Sequence, residues 1–334
     1  MGRNEHTYWD ISGKLRPGVT ALALLLLSGH PLFAQEQLLP VYHFKALEGF
    51  GPEGVSARVV RDSLGFVWIG ARNGLQRYDG YTFKKYHNIP NDPHSLPSNR
   101  ISSLLVDSRG RLWVGTEDRG LSLYDPARER FIRLYPNPDD SSRSETTAVN
   151  AMIEDRSDHI WLAMSSPYDV VRVEIPLSGE SNDNHSLAAS LHFRKFPIGT
   201  PGFGANDICE RNDGKILIAS HTGLILLDPA SADVSRPHLT ATIGHRLDSI
   251  LVLCLVQGSD GKLWLGTATE GVFRIDWQTG KVANFRHREG DSLSITIDEI
   301  WDMAEDRRGN MWIGTVNGVE LLSPETGKRI PYLT

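Results

Sequence analysis

The stretch GRLWVGTEDRGLSLYD (residues 110–125) returns near the end of the chain as GNMWIGTVNGVELLS (residues 309–323). Aligned on its tryptophan, the phrase occurs four more times: GFVWIGARNGLQRYD from Gly65, DHIWLAMSSPYDVVRV from Asp158, GKILIASHTGLILLD from Gly214 and GKLWLGTATEGVFRID from Gly261. The anchor falls at Trp68, Trp113, Trp161, Leu217, Trp264 and Trp312, in steps of 45, 48, 56, 47 and 48 residues. A period in the forties sustained over most of a chain marks a repeat architecture with one supersecondary unit per period.

Within one period, ISSLLV, RLWVGT, LSLYD and RFIRLYP are rich in leucine, β-branched and aromatic residues, and turn clusters such as DSRG and EDRG separate them. These features predict four short strands joined as hairpins. Hairpin connections leave no room for crossover helices, so the chain reads as all-β. Four antiparallel strands per repeat, six times over, fit a β-propeller. A single blade cannot bury both of its faces, so neighbouring blades must cover one another. Trp68, Trp113, Trp161, Trp264 and Trp312 are then structural anchors between blades, each able to bury on the order of 150–250 Å². Asp62, Asp107, Asp155, Asp260 and Asp306 read as acceptors for the backbone of the turn between first and second strands. That role outweighs a catalytic or metal-binding one.

The first 34 residues differ from the rest. Arg3, Lys14 and Arg16 precede an apolar run over residues 19–27, then SGHP and LFAQ. This is the layout of a cleaved secretory signal ending at Ala34, and the run is too short to span a bilayer. The expected organisation is a signal peptide at 1–34 and a propeller sensor domain at 35–334, exported to the periplasm. The net charge of −6 lacks the electrostatic footprint of nucleic-acid binding. Cys209 and Cys254 lie in apolar runs and read as buried free thiols, although export would permit a disulfide. Residues 41–46 resemble an outer strand without a blade of its own. Either they close a six-bladed ring, or the chain is part of something longer.

The phrase D-x-x-G-x-[LIVM]-W-[IVL]-G-T-x-x-x-G-[LV], present as DSRGRLWVGTEDRGL and DRRGNMWIGTVNGV, resembles the two-component regulator propeller repeat over roughly residues 41–330. Two copies depart from it: ILIASHTGL lacks the tryptophan and the Gly-Thr pair, and SSPYDVV replaces the closing glycine. The resemblance implies the periplasmic sensor region of a hybrid two-component histidine kinase of Bacteroidetes type, often responsive to oligosaccharides. In that family the first propeller has seven blades, so six motifs are compatible with an incomplete seven-bladed ring. No phosphoacceptor histidine box, ATP lid, stop-transfer helix or helix-turn-helix is readable, so by resemblance this is the N-terminal sensor portion without kinase or output domains. Membrane attachment would come only through downstream regions, and a homodimer only in the full receptor.

A propeller's ligand-bearing face carries the loops between second and third strands. Here those loops hold Arg72, Asn73, Glu117, Asp118, Arg119, Tyr168, His221, Thr269, Glu270 and Asn317. Carboxylates and amides reach hydroxyls and an aromatic ring covers an apolar sugar face, which suits an oligosaccharide or another small polar ligand. No catalytic residue, metal or cofactor is expected. Two rival readings stay open. A lyase-like propeller enzyme would use His221 and Glu270 first, yet no histidine pair stands at metal-ligand spacing. An interaction scaffold would show a large exposed apolar patch.

Overall fold

The computed structural model describes residues 58–135, 148–165, 170–176, 184–199, 204–237, 247 and 249–330. They form an all-β, six-bladed propeller of four-stranded antiparallel sheets, each built in chain order. The first strands are β1 (Arg58–Arg61), β5 (Ile101–Val106), β9 (Val149–Glu154), β13 (Ala205–Glu210), β17 (Val252–Gln257) and β21 (Asp302–Glu305). The second are β2 (Val67–Ala71), β6 (Leu112–Thr116), β10 (Ile160–Met164), β14 (Ile216–Ser220), β18 (Leu263–Thr267) and β22 (Met311–Thr315). The third are β3 (Gly74–Tyr78), β7 (Leu121–Asp125), β11 (Val170–Glu174), β15 (Gly223–Leu227), β19 (Val272–Asp276) and β23 (Gly318–Leu322). The outer strands are β4 (Phe83–Tyr86), β8 (Arg130–Leu134), β12 (His192–Phe196), β16 (Val234–Ser235), β20 (Lys281–Phe285) and β24 (Arg329–Ile330).

Second strands are apolar on both faces because each lies between two blades, and five of the six are buried along their whole length. Five apolar clusters fill the five junctions between consecutive blades. Trp68, Trp113, Trp161 and Trp264 are at most 1% exposed, and Trp68 meets Tyr124 of the next blade edge-on at 4.8 Å. Leu217, standing where the fourth blade lacks a tryptophan, joins Leu255, Leu263 and Leu265 of the fifth blade in one cluster. Close approach is enforced at Gly115, where an added Cβ would lie 2.1 Å from Ser103 Oγ and 2.9 Å from Val149 Cβ.

First strands adjoin one another around the axis. In the second to fifth blades their pairing is interrupted by one extra residue, at Ser102, Asn150, Asn206 and Leu253. Three of those residues donate to the next blade: Ser102 Oγ to Val149 O (2.7 Å), Asn150 Nδ2 to Ala205 O (2.7 Å) and Asn206 Nδ2 to Val252 O (2.8 Å). Arg58 continues this belt, with Nε on Ser102 O (3.0 Å) and Nη1 on Asp302 Oδ2 (2.8 Å). The first and sixth blades are thereby tied across the ring.

The sixth sheet takes its outer strand from β24, which pairs with β23 through Leu321–Ile330 and Leu322–Arg329; residues 41–46 lie outside the described residues, as does the segment 1–34. A helix, α1 (Asn184–Ser190), precedes β12 and sends Leu187 into the cluster between the second and third blades. It falls in the 56-residue step, whose surplus length is the one trace it leaves in the repeat spacing. Cys209 and Cys254 are buried free thiols whose ionisation burial pushes up.

Candidate ligand-binding face

The two ends of the ring differ in chemistry. At one end, the turns between first and second strands are folded around aspartates. Asp62 Oδ1 accepts Leu64 N and Phe66 N (both 3.0 Å), while Oδ2 accepts the Trp68 indole N–H at 2.7 Å. Asp107 and Asp155 hold the indoles of Trp113 (2.9 Å) and Trp161 (2.7 Å) in the same way. Asp306 accepts Arg308 N, Asn310 N and Asn310 Nδ2. These carboxylates are committed to the frame. In the fifth blade Asp260 sits nearer the glycine, where burial works against ionisation but bonds from Lys262 and Arg274 outweigh it and bring the carboxyl down to about 2. The indole partnership was readable as a repeated six-residue spacing, Asp62 to Trp68, Asp107 to Trp113 and Asp155 to Trp161, and sequence reasoning had found only the turn role.

At the opposite end, the loops between second and third strands fold against the entries to the first strands. Glu117 N donates to Arg100 O (2.8 Å), Ser165 N to Ala148 O (3.1 Å) and Ala268 N to Leu251 O (3.0 Å). This face carries the candidate residues. Glu117 is bracketed by Arg72 Nε at 2.9 Å and Arg100 Nη2 at 2.6 Å, which links the first two blades. Glu270 and Asp298 both pair with Arg286 at 2.9 Å, and Arg286 Nη2 also reaches Thr269 O at 3.2 Å. Asp298 stabilises the charged form of Arg286 and fixes the loop further, with Oδ1 on His287 N (2.7 Å) and its carbonyl on Gly271 N (3.0 Å).

The face therefore holds two ion-pair clusters, one at the junction of the first and second blades and one at that of the fifth and sixth. Arg72 meets Glu117, and Thr269 and Glu270 meet through Arg286; Arg119 and Asn317 stand exposed, their backbone N–H groups bonded to Thr116 Oγ1 (3.0 Å) and Thr315 Oγ1 (3.1 Å). His221 is exposed, and Tyr168 lies outside the described residues. Asn73 Oδ1 and Asp118 Oδ1 are buried acceptors without a hydrogen bond among the described residues. Sequence reasoning missed Arg100, Arg286 and Asp298, because it looked only at one set of loops and not at the connections that enter each blade.

Near the axis, Asp207 Oδ2 accepts Leu255 N (2.7 Å) from the fifth blade and Oδ1 accepts Ile208 N (2.8 Å). Burial pushes its carboxyl up to about 7, against the opposing pull of those two bonds; Asp302 raises it further and Arg58 lowers it. Among the described residues, no group of three or more His, Cys, Asp or Glu is arranged to hold a metal ion. No helix among them is long and apolar enough to cross a membrane.

The family model described as two component regulator propeller matches residues 95–118 and 294–317, two copies of the repeat with the loops that enter them. Two of the six repeats of this chain thus match the two component regulator propeller. A curated relative, histidine kinase P4 of Formosa agariphila, is 33% identical over 79 residues, which is 24% of this chain and 6% of that protein.

Among solved structures, the extracellular domain of BT4673 from B. thetaiotaomicron, named as a one component system, aligns with a TM-score of 0.54 at 18% identity, covering 80% of this chain and 38% of that one. PorZ, a surface component of the type-IX secretion system of Porphyromonas gingivalis, aligns with a TM-score of 0.59 at 15% identity over 82% of this chain and 39% of PorZ. Virginiamycin B lyase of Staphylococcus aureus, in a catalytically inactive form with quinupristin, reaches 0.58 at 15% identity and 82% of both chains. At these identities the structural likenesses establish the fold. The chain spans well under half the length of the first two of these solved structures and 6% of the curated relative.

Proposed function

We propose that the chain is an extracytoplasmic ligand-sensing module of a two-component signalling receptor, exported to the periplasm by residues 1–34 and acting without chemistry of its own. The observation that carries this reading is the match of two separate repeats to the two-component regulator propeller, in a propeller whose frame aspartates and tryptophans are committed to structure. Signalling is performed by kinase and output domains elsewhere in the receptor, and the propeller dimerises in that setting. The ligand is an oligosaccharide or similarly polar molecule held on the face of Glu117 and Glu270. Paired carboxylates and guanidinium groups there are preorganised by one another, and a hydroxyl-rich ligand finds donors and acceptors without a large rearrangement. The lyase reading has the fold likeness to virginiamycin B lyase in its favour; Glu270, its leading acid, is engaged by Arg286.

The test is a thermal-shift screen of the purified chain against oligosaccharides released from plant, algal and host glycans, with quinupristin as an enzyme control. A saturable shift with an oligosaccharide, reduced by Glu117→Gln or Glu270→Gln, supports sensing. Cleavage of quinupristin seen by mass spectrometry overturns it.

A further inference from the structure

One tryptophan stands apart from the others. Trp68, Trp113, Trp161 and Trp264 are at most 1% exposed, and Trp312 is 8% exposed. Trp277 packs against the cluster between the fourth and fifth blades, with the Arg211 guanidinium over its ring at 5.2 Å. Trp301 is 52% exposed, and its indole N–H has no hydrogen bond among the described residues. The frame does not use this ring. A large apolar side chain left in water beside convergent polar groups is the makeup of a ligand site.

The repeat sets its place in the ring. Trp301 immediately precedes Asp302, which faces Gly314, just as Ser102 precedes Ser103 opposite Gly115 and Asn206 precedes Asp207 opposite Ala219. Ser102 and Asn206 use that position to bond the next blade; the sixth blade places an indole there. Trp301 N donates to Gly314 O (2.9 Å), at the strand end that leads into Val316, 44% exposed, and into exposed Asn317. Just upstream, Ile300 N donates to Thr267 O (2.9 Å) and Asp298 O accepts Gly271 N (3.0 Å), which fastens this connection to the loop of Thr269 and Glu270. Asp298 and Trp301 are three residues apart, at most about 11 Å along the chain. Just downstream, Asp302 ties the sixth blade to the first through Arg58. Around the ring, Trp301 therefore lies between the Arg286 cluster and the Arg72–Glu117–Arg100 cluster.

We propose that Trp301 is the stacking platform of the ligand site and determines its specificity: the indole covers the open C–H face of a pyranose ring, while Asn317, Glu270 and Arg286 hold hydroxyls at that ring's edge. This rests on the reading of the chain as an oligosaccharide sensor. It adds that the ligand carries a pyranose unit with one face free of axial hydroxyls, because such a hydroxyl would hold the sugar off the indole. The unbonded indole N–H is a further donor at the rim of the platform. Trp301 was not among the sequence candidates for the reason that Arg100 and Arg286 were not: it lies on a connection that enters a blade.

Titration of the full chain with cellotetraose, xylotetraose, mannotetraose and trigalacturonate, read by calorimetry and by iodide quenching of tryptophan fluorescence, tests the platform. At least one of these sugars should bind, and its saturation should remove the iodide-accessible emission that Trp301→Phe also lacks. Trp301→Ala should weaken that binding at least tenfold, while Trp301→Phe retains most of the affinity and both variants melt as the wild type does. Quenching of the wild type keeps the test decisive should Trp301→Ala fold poorly. Binding that leaves the quenching unchanged, or that survives Trp301→Ala, overturns the platform and leaves the sensing reading standing. Absence of binding by all four sugars overturns the platform as well, and the sensing reading then stands or falls on the wider thermal-shift screen.

Discussion

Removal of one frame aspartate should cost far more than its position in a surface turn suggests. Asp107 is 4% exposed, and its carboxylate accepts Arg109 N (3.1 Å), Arg111 N (2.8 Å), Arg111 Nε (2.5 Å) and Trp113 Nε1 (2.9 Å). The Arg111 side chain is itself only 11% exposed. Asp107→Ala therefore strands a buried indole N–H, worth about 1–3 kcal/mol, and leaves a nearly buried guanidinium without its counter-charge, a loss of about 3–5 kcal/mol for a broken buried pair. These costs overlap, so about 3–5 kcal/mol in total is expected. At about 2–4 °C per kcal/mol for a domain of this size, Tm should fall by roughly 6–20 °C.

Asp62 offers an internal control, because it binds Trp68 and two backbone N–H groups without a buried arginine. Asp62→Ala should cost only about 1–3 kcal/mol. Urea titration followed by tryptophan fluorescence, alongside calorimetry, measures both variants. If Asp107→Ala costs no more than Asp62→Ala, or less than about 1 kcal/mol, the assignment of Asp107 to the frame is wrong.

Other consequences are also measurable. Gly115→Ala, whose methyl would fall 2.1 Å from Ser103 Oγ and 2.9 Å from Val149, should destabilise by about 1–3 kcal/mol through overpacking; a neutral melt would refute the close approach of those blades. Asp207 has a folded-state pKa of about 7, above the ~3.9 of an unfolded aspartate, so the folded state binds the extra proton between those values. Its stabilising effect is full below the unfolded pKa and is lost as pH rises through 7, with a slope of at most about 1.4 kcal/mol per pH unit. Asp207→Asn should flatten that slope in urea titrations between pH 5 and 8, and an unchanged slope would exclude Asp207 as its source. Arg286→Ala breaks partly exposed surface pairs worth about 1 kcal/mol; by circular dichroism it should melt within a few degrees of the wild type while weakening any oligosaccharide-induced shift.

The frame was legible because repetition amplifies weak signals. One W-x-G phrase is ambiguous, but four of them and two divergent copies, in register at similar spacing, impose four strands per unit and an inter-blade role for the tryptophan. Helix α1 escaped because it occurs once, inside an insertion, and seven residues carry too little periodicity to stand out. The loop clusters were half legible. Arg72 and Glu117 are 45 residues apart, and Glu270 and Arg286 lie on different connections of one blade, so only the ring's geometry joins them. Outer strand β24 escaped for another reason: its two residues have no apolar alternation of their own, and they are held by Arg329, whose N–H reaches Leu293 O and whose guanidinium reaches Ser292 O (both 2.7 Å).

The central claim is that the loop face of Glu117 and Glu270 binds a polar ligand while the opposite face serves the frame. Calorimetric titration of the oligosaccharide that gives the largest thermal shift, into wild type, Glu117→Gln, Glu270→Gln and Asp306→Asn, addresses it directly. The account predicts saturable binding to the wild type and to Asp306→Asn, weakened at least tenfold in both glutamine variants. Binding that survives both glutamine substitutions but is lost in Asp306→Asn would contradict it.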